Sequence, residues 1–402
     1  MIVAAGQGIG EGIKRVSALL SRALMLAVLG IGTLLHASAE AALPSDIGRG
    51  PSVAVLAQPA SKHWVWVNDF VFPHMSDGMA YLIDGDSGRY LGTLSTGYGY
   101  AHLLLPRDGK VIYSPETYFS RGTRGTRTDI VAVYDSATLN VLQEIPIPPK
   151  RSSNLPMIAN VALTDDDRFL LIYNFNPAQS ISIVDAKQRR FVREVESSGC
   201  ALVYPTGARS FFSLCGDGAA LLFTLNEKGA AVQHRTESLF DPYKDPVKEK
   251  AVRVKDTWYF VSFAGRVLPL ATTANTAVLQ PTWWLTSEAE RKAGWRTGGL
   301  QELAVDTASS QLFAIMHQGP LATHKDPGKE IWVYDLATQK RVRQIHLKEP
   351  ASSIQVTSDP TPLLFALQMD STDLDVYDAH SGRFLRSVGH VGTTPTVLVT
   401  PD

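Results

Sequence analysis

The sequence has no excess of either charge and, after its first 41 residues, no long apolar run. Its 402 residues contain 38 lysines and arginines against 39 aspartates and glutamates. That balance provides no positive field to gather a polyanion, so nucleic acid is excluded as a partner. Because no later segment is long and apolar enough to span a bilayer, we expect no membrane span in the mature chain.

Common catalytic signatures are also missing. The chain lacks His-Glu-x-x-His, a glycine-rich phosphate loop and a Gly-x-Ser-x-Gly elbow, which argues against the common protease, nucleotide-binding and hydrolase classes. His317 and His324 lie in a loop-rich stretch without a further cysteine or histidine close in sequence, so loop histidines are a better interpretation than metal ligands. The residues alone therefore predict no catalytic or metal centre on this chain.

The first 41 residues have the order of a secretory signal peptide. Lys14, Arg15 and Arg22 precede an apolar run over residues 23–35, and small residues follow, with cleavage expected near Ala39 or Ala41. The alternative is a membrane anchor, but the run is shorter than the roughly 20 residues that a spanning helix needs. We therefore expect residues 42–402 to form one exported domain.

The only two cysteines are Cys200 and Cys215, and both lie in the exported part. An oxidising compartment favours a disulfide. The residues between them, a turn-rich segment and then an apolar run, could place the two cysteines across a hairpin at bridging distance. A redox-active or metal-binding pair is the alternative, but Cys-x-x-Cys spacing is absent. The pattern predicts a structural disulfide.

A hairpin pattern recurs along the chain. Residues 129–139 hold an apolar strand that ends in Val-Tyr-Asp at Asp135, and the same tripeptide ends at Asp335 and Asp378. Each aspartate is followed by turn-forming residues and a second apolar run, which is typical of a β-hairpin. The aspartate can accept hydrogen bonds from backbone N–H groups just beyond it and so close the turn.

Counting these hairpins along the chain gives seven repeated units. Asp84, Asp135 and Asp185 lie at intervals of roughly 50 residues, residues 220–225 form a degenerate copy, and residues 259–270 around Gly265 supply the hairpin missing before Asp335. Each unit has room for about four strands, the size of one propeller blade. A β-sandwich gives no reason for this period, and a β-helix needs shorter rungs. We predict an all-β fold, a seven-bladed β-propeller with four-stranded blades.

Three local features interrupt the strand pattern. Residues 286–295 contain strong helix formers after a Thr286 or Ser287 N-cap, which predicts a short inserted surface helix, either a contact or lid element or a plain connection. The loop 121–127 carries three arginines that could bind an anion or hold neighbouring carboxylates and carbonyls, and the second role is favoured. A third set, near glycine-rich turns, is interpreted as packing: Tyr98, Tyr100, Tyr118 and Phe119.

Longer motifs resemble the heavy subunit of bacterial quinoprotein amine dehydrogenases. Most of them resemble the aromatic amine dehydrogenase branch more than the methylamine branch, whereas residues 285–299 are similar to both. The motifs are RGTRTDIVAVYD at 124–135, IPPKR at 147–151, SFFSLCGDG at 210–218, THK at 323–325 with EIWVYD at 330–335, and LTSEAER with GWRTGG at 285–299.

The resemblance implies a periplasmic seven-bladed propeller in an α2β2 heterotetramer with a small light subunit. That subunit would carry tryptophan tryptophylquinone and the catalytic base, so this chain would bear no cofactor of its own. A primary amine would be oxidised to an aldehyde and ammonia, with electrons passed to an azurin- or amicyanin-like blue copper protein. The other hypothesis is an exported propeller that binds a partner without redox activity.

The resemblance also assigns residues. The family places an aromatic side chain in the substrate channel, usually Phe, and the segment here contains Tyr98 and Tyr100. Tyr98 matches best, but the segment is one residue longer than the family pattern, so Tyr100 stays a candidate. Cys200 and Cys215 match a family disulfide.

Overall fold

The structure, a computed structural model, describes residues 54–368 and 370–401. The predicted signal peptide, residues 1–41, lies outside the described residues. Within them, no helix has both the length and the apolar character needed to cross a bilayer.

Seven antiparallel sheets follow one another along the chain. The first three blades contain β1 (Trp64–Asp69), β2 (Gly78–Asp84) and β3 (Tyr90–Gly97); β4 (Val111–Phe119), β5 (Arg127–Asp135) and β6 (Val141–Ile147); and β7 (Val161–Leu163), β8 (Phe169–Asn174), β9 (Ser180–Asp185) and β10 (Arg190–Glu196). The fourth contains β11 (Cys200–Gly207), β12 (Ser210–Cys215), β13 (Ala220–Leu225) and β14 (Ala231–Arg235).

The last three blades have the same pattern with two additions. They contain β15 (Val252–Val254), β16 (Thr257–Val261), β17 (Arg266–Thr272), β18 (Ala277–Leu279) and the extra β19 (Trp283–Trp284); the extra β20 (Trp295–Thr297), β21 (Leu303–Asp306), β22 (Gln311–Gln318), β23 (Gly328–Asp335) and β24 (Lys340–Ala351); and β25 (Ser353–Val356), β26 (Leu363–Leu367), β27 (Leu374–Asp378) and β28 (Phe384–Val388). The final strand is β29 (Pro395–Val399). The predicted seven-bladed propeller is confirmed.

The two ends of the propeller meet in the first blade. Strand β29 pairs antiparallel with β1 and completes that sheet in the order β29, β1, β2, β3. The second blade has three full strands, and a single bridge from Leu104 to Tyr113 takes the inner position. Closure gives every blade a neighbour on both sides, so that only the outer strands of the blades keep free edges.

Buried apolar clusters lie between neighbouring blades. In β8 every residue of the run FLLIYN is buried, because a blade is covered on both faces and its inner strands need no polar side. Phe169 of the third blade and Phe211 of the fourth belong to one such cluster. Outer strands are more exposed, as in β6, where the first four residues face solvent.

The aspartate-marked turns have the predicted chemistry. Asp135, Asp335 and Asp378 each accept a hydrogen bond from the N–H three residues later, at 2.7, 2.6 and 2.7 Å. The hydrogen bonds from Thr138 hold the pKa of Asp135 below its ordinary value. In the fifth blade, however, the predicted hairpin around Gly265 joins β16 to β17, one strand earlier than the aspartate turns, which join third to fourth strands.

Three short helices lie in the connections between the described strands. They are the α-helix α1 (Glu288–Lys292) and the 3-10 helices Ile158–Asn160 and Leu321–Thr323. Ser287 caps α1 in a reciprocal capping box with Glu290, which confirms the predicted surface helix and selects Ser287 over Thr286 as its N-cap.

Because the strands of each blade are antiparallel, successive loops lie alternately on two opposite faces of the propeller. The aspartate turns lie on one, which we term the lower face. The opposite, upper face carries the loops between second and third strands and the connections between blades. The upper face therefore includes residues 70–77, 98–102, 119–127, 148–160, 175–179, 236–251, 298–302 and 319–327.

Candidate functional site

Residues 96–102 connect the first blade to the second on the upper face. Strand β4 and two neighbouring loops fix the backbone of this segment. The hydrogen bonds run from Tyr98 N–H to the Thr117 carbonyl, from Gly99 N–H to the Met75 carbonyl and from Tyr100 N–H to the Ser153 carbonyl, each at 2.8 Å. Gly99 has a φ of 75°, and a Cβ there would lie 2.3 Å from the Ser153 carbonyl oxygen, so only glycine fits.

The buried guanidinium of Arg151 holds the same segment from below. Its Nη1 donates to the Tyr100 carbonyl at 2.7 Å and its Nη2 to the Tyr98 carbonyl at 3.1 Å. Only 3% of Arg151 is exposed. Burial lowers the pKa of this guanidinium to about 10, so the side chain is still protonated at neutral pH.

Asp129 lies at the centre of the charges beneath Arg151. Its carboxylate, also buried, accepts hydrogen bonds from a hydroxyl, a guanidinium and a backbone N–H. The donors are Thr117 Oγ1 at 2.9 Å, Arg127 Nε and Nη2 at 2.8 Å each, and the Arg151 N–H at 3.0 Å. Arg127 Nη2 also donates to the Arg151 carbonyl at 2.7 Å. Asp129 thus forms an ion pair with Arg127 and holds Arg151 through its backbone N–H.

The arginines of the loop 121–127 therefore have two different environments. Arg127 holds a carboxylate and a carbonyl, which is the structural role favoured from the sequence. Arg121 and Arg124 lie at the exposed tip of the loop, where the N–H of Arg121 donates to the Arg124 carbonyl at 3.0 Å. Their guanidinium groups contact no partner among the residues that the structure describes.

The two candidate tyrosines occupy different environments. Tyr98 is half-buried, its ring meets Phe119 edge-on at 5.0 Å, and its hydroxyl makes no hydrogen bond within the described chain. Tyr100 is only 7% exposed and packs edge-on against Phe70 at 4.2 Å. Burial raises the pKa of Tyr100. Of the two rings, that of Tyr98 is the one available to a molecule on the upper face.

A cavity of about 370 Å³ runs along the axis of the propeller. It is lined mainly by apolar residues of the inner strands, such as Leu103 and Leu303. A separate cavity of about 10 Å³ lies beside Phe70 and Tyr100 and shares His102 with the larger one. His102 lines both cavities, and burial lowers its pKa to about 4, which leaves its ring neutral at neutral pH.

A second buried ionic group lies on the upper face between the fifth and sixth blades. Glu302 contacts Lys248 Nζ at 2.5 Å and Lys250 Nζ at 3.6 Å, and Lys250 Nζ donates to the Gly299 carbonyl at 2.6 Å. Burial lowers the pKa of Lys248. These contacts join the connection that leads into β15 to the connection that leads into β21. Sequence reasoning missed the group, because lysines and a glutamate some fifty residues apart carry no local sign of burial.

His324 lies in a loop as predicted, whereas His317 lies near the end of β22, so the loop interpretation was wrong for it. Both are held by neighbours within the upper face. His317 Nε2 lies 2.8 Å from Thr323 Oγ1, and the His324 ring lies 4.5 Å from that of Phe263. Burial lowers the pKa of both rings. Across residues 54–368 and 370–401, no three histidine, cysteine or acidic side chains are arranged to hold a metal ion.

The predicted disulfide is present. Cys200 and Cys215 are directly paired across β11 and β12 and are bonded to each other. Both cysteines are buried, and Arg235 Nη1 lies 3.2 and 3.1 Å from the two sulfur atoms. The disulfide is therefore part of the blade scaffold, away from Tyr98.

The upper face also exposes large apolar side chains. Phe72, Leu155, Phe175 and Leu321 stand in loops on this face and are each about half exposed or more. Because water-facing apolar groups that cluster on one face often mark an interaction site, this face is the candidate functional surface. Sequence reasoning had located only its Tyr98 segment.

Comparison with known proteins gives a consistent result. The family model for the methylamine dehydrogenase heavy chain matches residues 61–402. The methylamine dehydrogenase heavy chain of Methylorubrum extorquens is 28% identical over 400 residues, which cover 96% of each chain. That of Paracoccus versutus is 30% identical over 325 residues, which cover 80% of this chain and 76% of the relative.

Solved structures with much lower identity share the fold. A functionally unknown protein from Desulfotomaculum acetoxidans has a TM-score of 0.57 at 13% identity, over 85% of this chain and 100% of its own. A putative 6-phosphogluconolactonase from Bacteroides uniformis has a TM-score of 0.57 at 12% identity, over 84% of this chain and 98% of its own. At this identity the likeness supports the propeller alone.

Proposed function

Because the chain belongs to the methylamine dehydrogenase heavy chain family, we propose that it is the large subunit of a periplasmic amine dehydrogenase. The complete enzyme would convert a primary amine and water to an aldehyde and ammonia and release two electrons with two protons. The observation that carries the proposal is the upper face, where the half-buried Tyr98 stands among exposed apolar side chains on a chain of this family.

The partner would be a small light subunit seated on the upper face, two copies of each forming an α2β2 heterotetramer. Phe72, Leu155 and Phe175 supply apolar area for such an interface. The tryptophan tryptophylquinone of the light subunit would supply the electron-accepting carbonyl chemistry. An azurin- or amicyanin-like blue copper protein would then take the electrons.

Tyr98 would form one wall of the substrate channel. Its ring stands edge-on to Phe119, so the pair presents an apolar surface that can orient the carbon chain of an amine and exclude water from it. The free Tyr98 hydroxyl adds one polar point. Tyr100 is the weaker candidate, since its ring is buried against Phe70 and lines only a cavity of about 10 Å³.

The amine class is a finer part of the proposal. Most of the sequence motifs resemble the aromatic amine dehydrogenase branch, and the Tyr98 and Phe119 rings would suit the flat face of an arylalkylamine. The curated relatives are methylamine dehydrogenase heavy chains. We propose an aromatic primary amine as the better substrate, with methylamine as the comparison.

The periplasm is the proposed location. The leader pattern of residues 1–41 and the disulfide between Cys200 and Cys215 support it, because disulfides persist in oxidising compartments.

Assembly and turnover test the proposal together. The full chain, with its leader, is co-produced with a light subunit of this family, and the periplasmic fraction is purified by a tag on this chain. The proposal predicts a complex of two large and two small subunits whose quinone absorbance bleaches on adding 2-phenylethylamine or methylamine. A large chain that remains alone beside a correctly matured light subunit would contradict it.

A further inference from the structure

We infer that Arg151 is a positioning residue that fixes how far the Tyr98 ring projects from the upper face. This inference rests on the proposed role of the upper face as the wall of an amine channel. It concerns a residue that touches neither the amine nor the quinone in that proposal and acts through Tyr98.

The backbone around Tyr98 is not restricted by its own sequence. Tyr98 stands between Gly97, with a φ of 69°, and Gly99, with a φ of 75°, and glycine allows the backbone more conformations than any other residue. A tyrosine between two such positions keeps its place only through contacts with the rest of the fold. Its backbone, more than its side chain, must therefore be held.

Arg151 supplies that hold on both sides of Gly99. Its two terminal nitrogens donate separately to the Tyr98 and Tyr100 carbonyls. The planar guanidinium fixes the angle between its N–H groups, so two carbonyls bound by one guanidinium are held in a set relation to each other. Lysine offers a single nitrogen and cannot reproduce this fork.

Arg151 is itself anchored from two directions. Its N–H donates to Asp129, and its carbonyl accepts from Arg127 Nη2. Asp129 and Arg127 belong to β5, in the second blade. Through Arg151, the position of Tyr98 is thus fixed relative to strand β5.

A merely structural role and a positioning role predict different kinetics. If Arg151 only stabilised the fold, its loss would reduce the amount of active enzyme and lower kcat equally for every amine. If it positions Tyr98, its loss should act on the binding of amines large enough to use the ring. Methylamine is too small to need that wall.

The test uses the assembled complex and the variants Arg151→Lys and Arg151→Met. The KM for 2-phenylethylamine should rise about tenfold in Arg151→Met, since contacts of this size are worth about 10-fold to 200-fold in specificity. Methylamine should keep its KM. Amide exchange in the peptide spanning residues 96–102 should be about tenfold faster, because two hydrogen bonds that close the segment are lost.

Arg343→Met is the matched control. Arg343 is also partly buried and donates from Nη2 to a backbone carbonyl, that of Ala379, but it lies on the lower side of the sixth blade. This variant should change neither the exchange of residues 96–102 nor the ratio of the two KM values. If Arg151→Met does not fold, Arg151→Lys gives the same comparison with a smaller shift.

Unchanged exchange and an unchanged KM ratio in a folded Arg151 variant would overturn the inference. Equal losses of kcat for both amines without a change of KM would also overturn it. If the unmutated complex does not oxidise amines at all, the proposed function fails. That failure is recognised separately, because the exchange experiment on the full chain still reports whether Arg151 holds the segment.

Discussion

Replacing Asp129 by asparagine should remove the charge at the centre of the network beneath Tyr98. The asparagine has the same size, so no cavity forms. Each carboxylate oxygen of Asp129 accepts from Arg127, one through Nε and the other through Nη2, at 2.8 Å. Whichever way the new amide is turned, its NH₂ group must therefore face an arginine N–H donor that cannot reorient to accept.

The size of the effect follows from burial. The Asp129 side chain is fully covered and its ion-pair partner Arg127 is 23% exposed, so the substitution leaves Arg127, and the buried Arg151 guanidinium nearby, without this negative charge. Breaking a buried ion pair from one side costs about 3–5 kcal/mol. With an unfolding entropy of roughly 2.1 cal/mol/K per residue over about 350 residues, the unfolding midpoint should fall by about 4–7 °C.

The assay is thermal unfolding of the full chain at one fixed scan rate, because large disulfide-bonded proteins often unfold irreversibly. Asp135→Asn is the matched control. Asp135 lies in a half-buried turn where it accepts backbone N–H groups, and the asparagine oxygen can do the same, so little change is expected. An Asp129→Asn midpoint that falls no further than that of Asp135→Asn would refute the reasoning.

Three further predictions concern the scaffold and the channel. Replacing both Cys200 and Cys215 by serine should lower the free energy of unfolding by about 3 kcal/mol, as expected for a closed loop of this size; denaturant titration measures it, and an unchanged midpoint would contradict it. His63 lies between Asp86 and Asp359, at 2.8 and 3.3 Å. Burial alone would lower its pKa, but the two carboxylates raise it overall, so its stabilising effect is full below the unfolded value of 6.5 and is lost as pH rises through the folded pKa. His63→Gln should therefore lower the unfolding midpoint more at about pH 5.5 than at about pH 8.5, and an equal loss at both would count against the raised pKa. Tyr98→Phe should keep stability within about 0.5 kcal/mol and change the relative kcat/KM of polar and apolar arylalkylamines, and identical ratios would remove the hydroxyl from the channel.

Local chemistry explains what the sequence revealed about the fold. The turn at Asp135 and the helix cap at Ser287 depend on hydrogen bonds within four residues, so the residue types alone predict them. The period of these turns then gave the blade count. The fifth blade lacks an aspartate turn between β17 and β18, and for that reason the hairpin around Gly265 was assigned one strand too late.

The candidate site was only partly predictable. The Tyr98 segment was predicted from a family resemblance. Of its neighbours, Phe119 was interpreted as a packing residue, and Arg127 belonged to the arginine loop that was expected to hold carboxylates and carbonyls. The role of Arg151 could not be derived, because its contacts depend on two connections between blades and strand β5 meeting on one face. The pairing of Lys248 with Glu302 has the same non-local origin.

A structure of this chain bound to its quinone-bearing light subunit tests the central claim most directly. The light subunit should cover the upper face and bury Phe72 and Leu155, and the Tyr98 ring should lie within about 4.5 Å of the bound amine or the quinone. A light subunit seated on the lower face or on the outer strands, with Tyr98 left exposed to solvent, would contradict it.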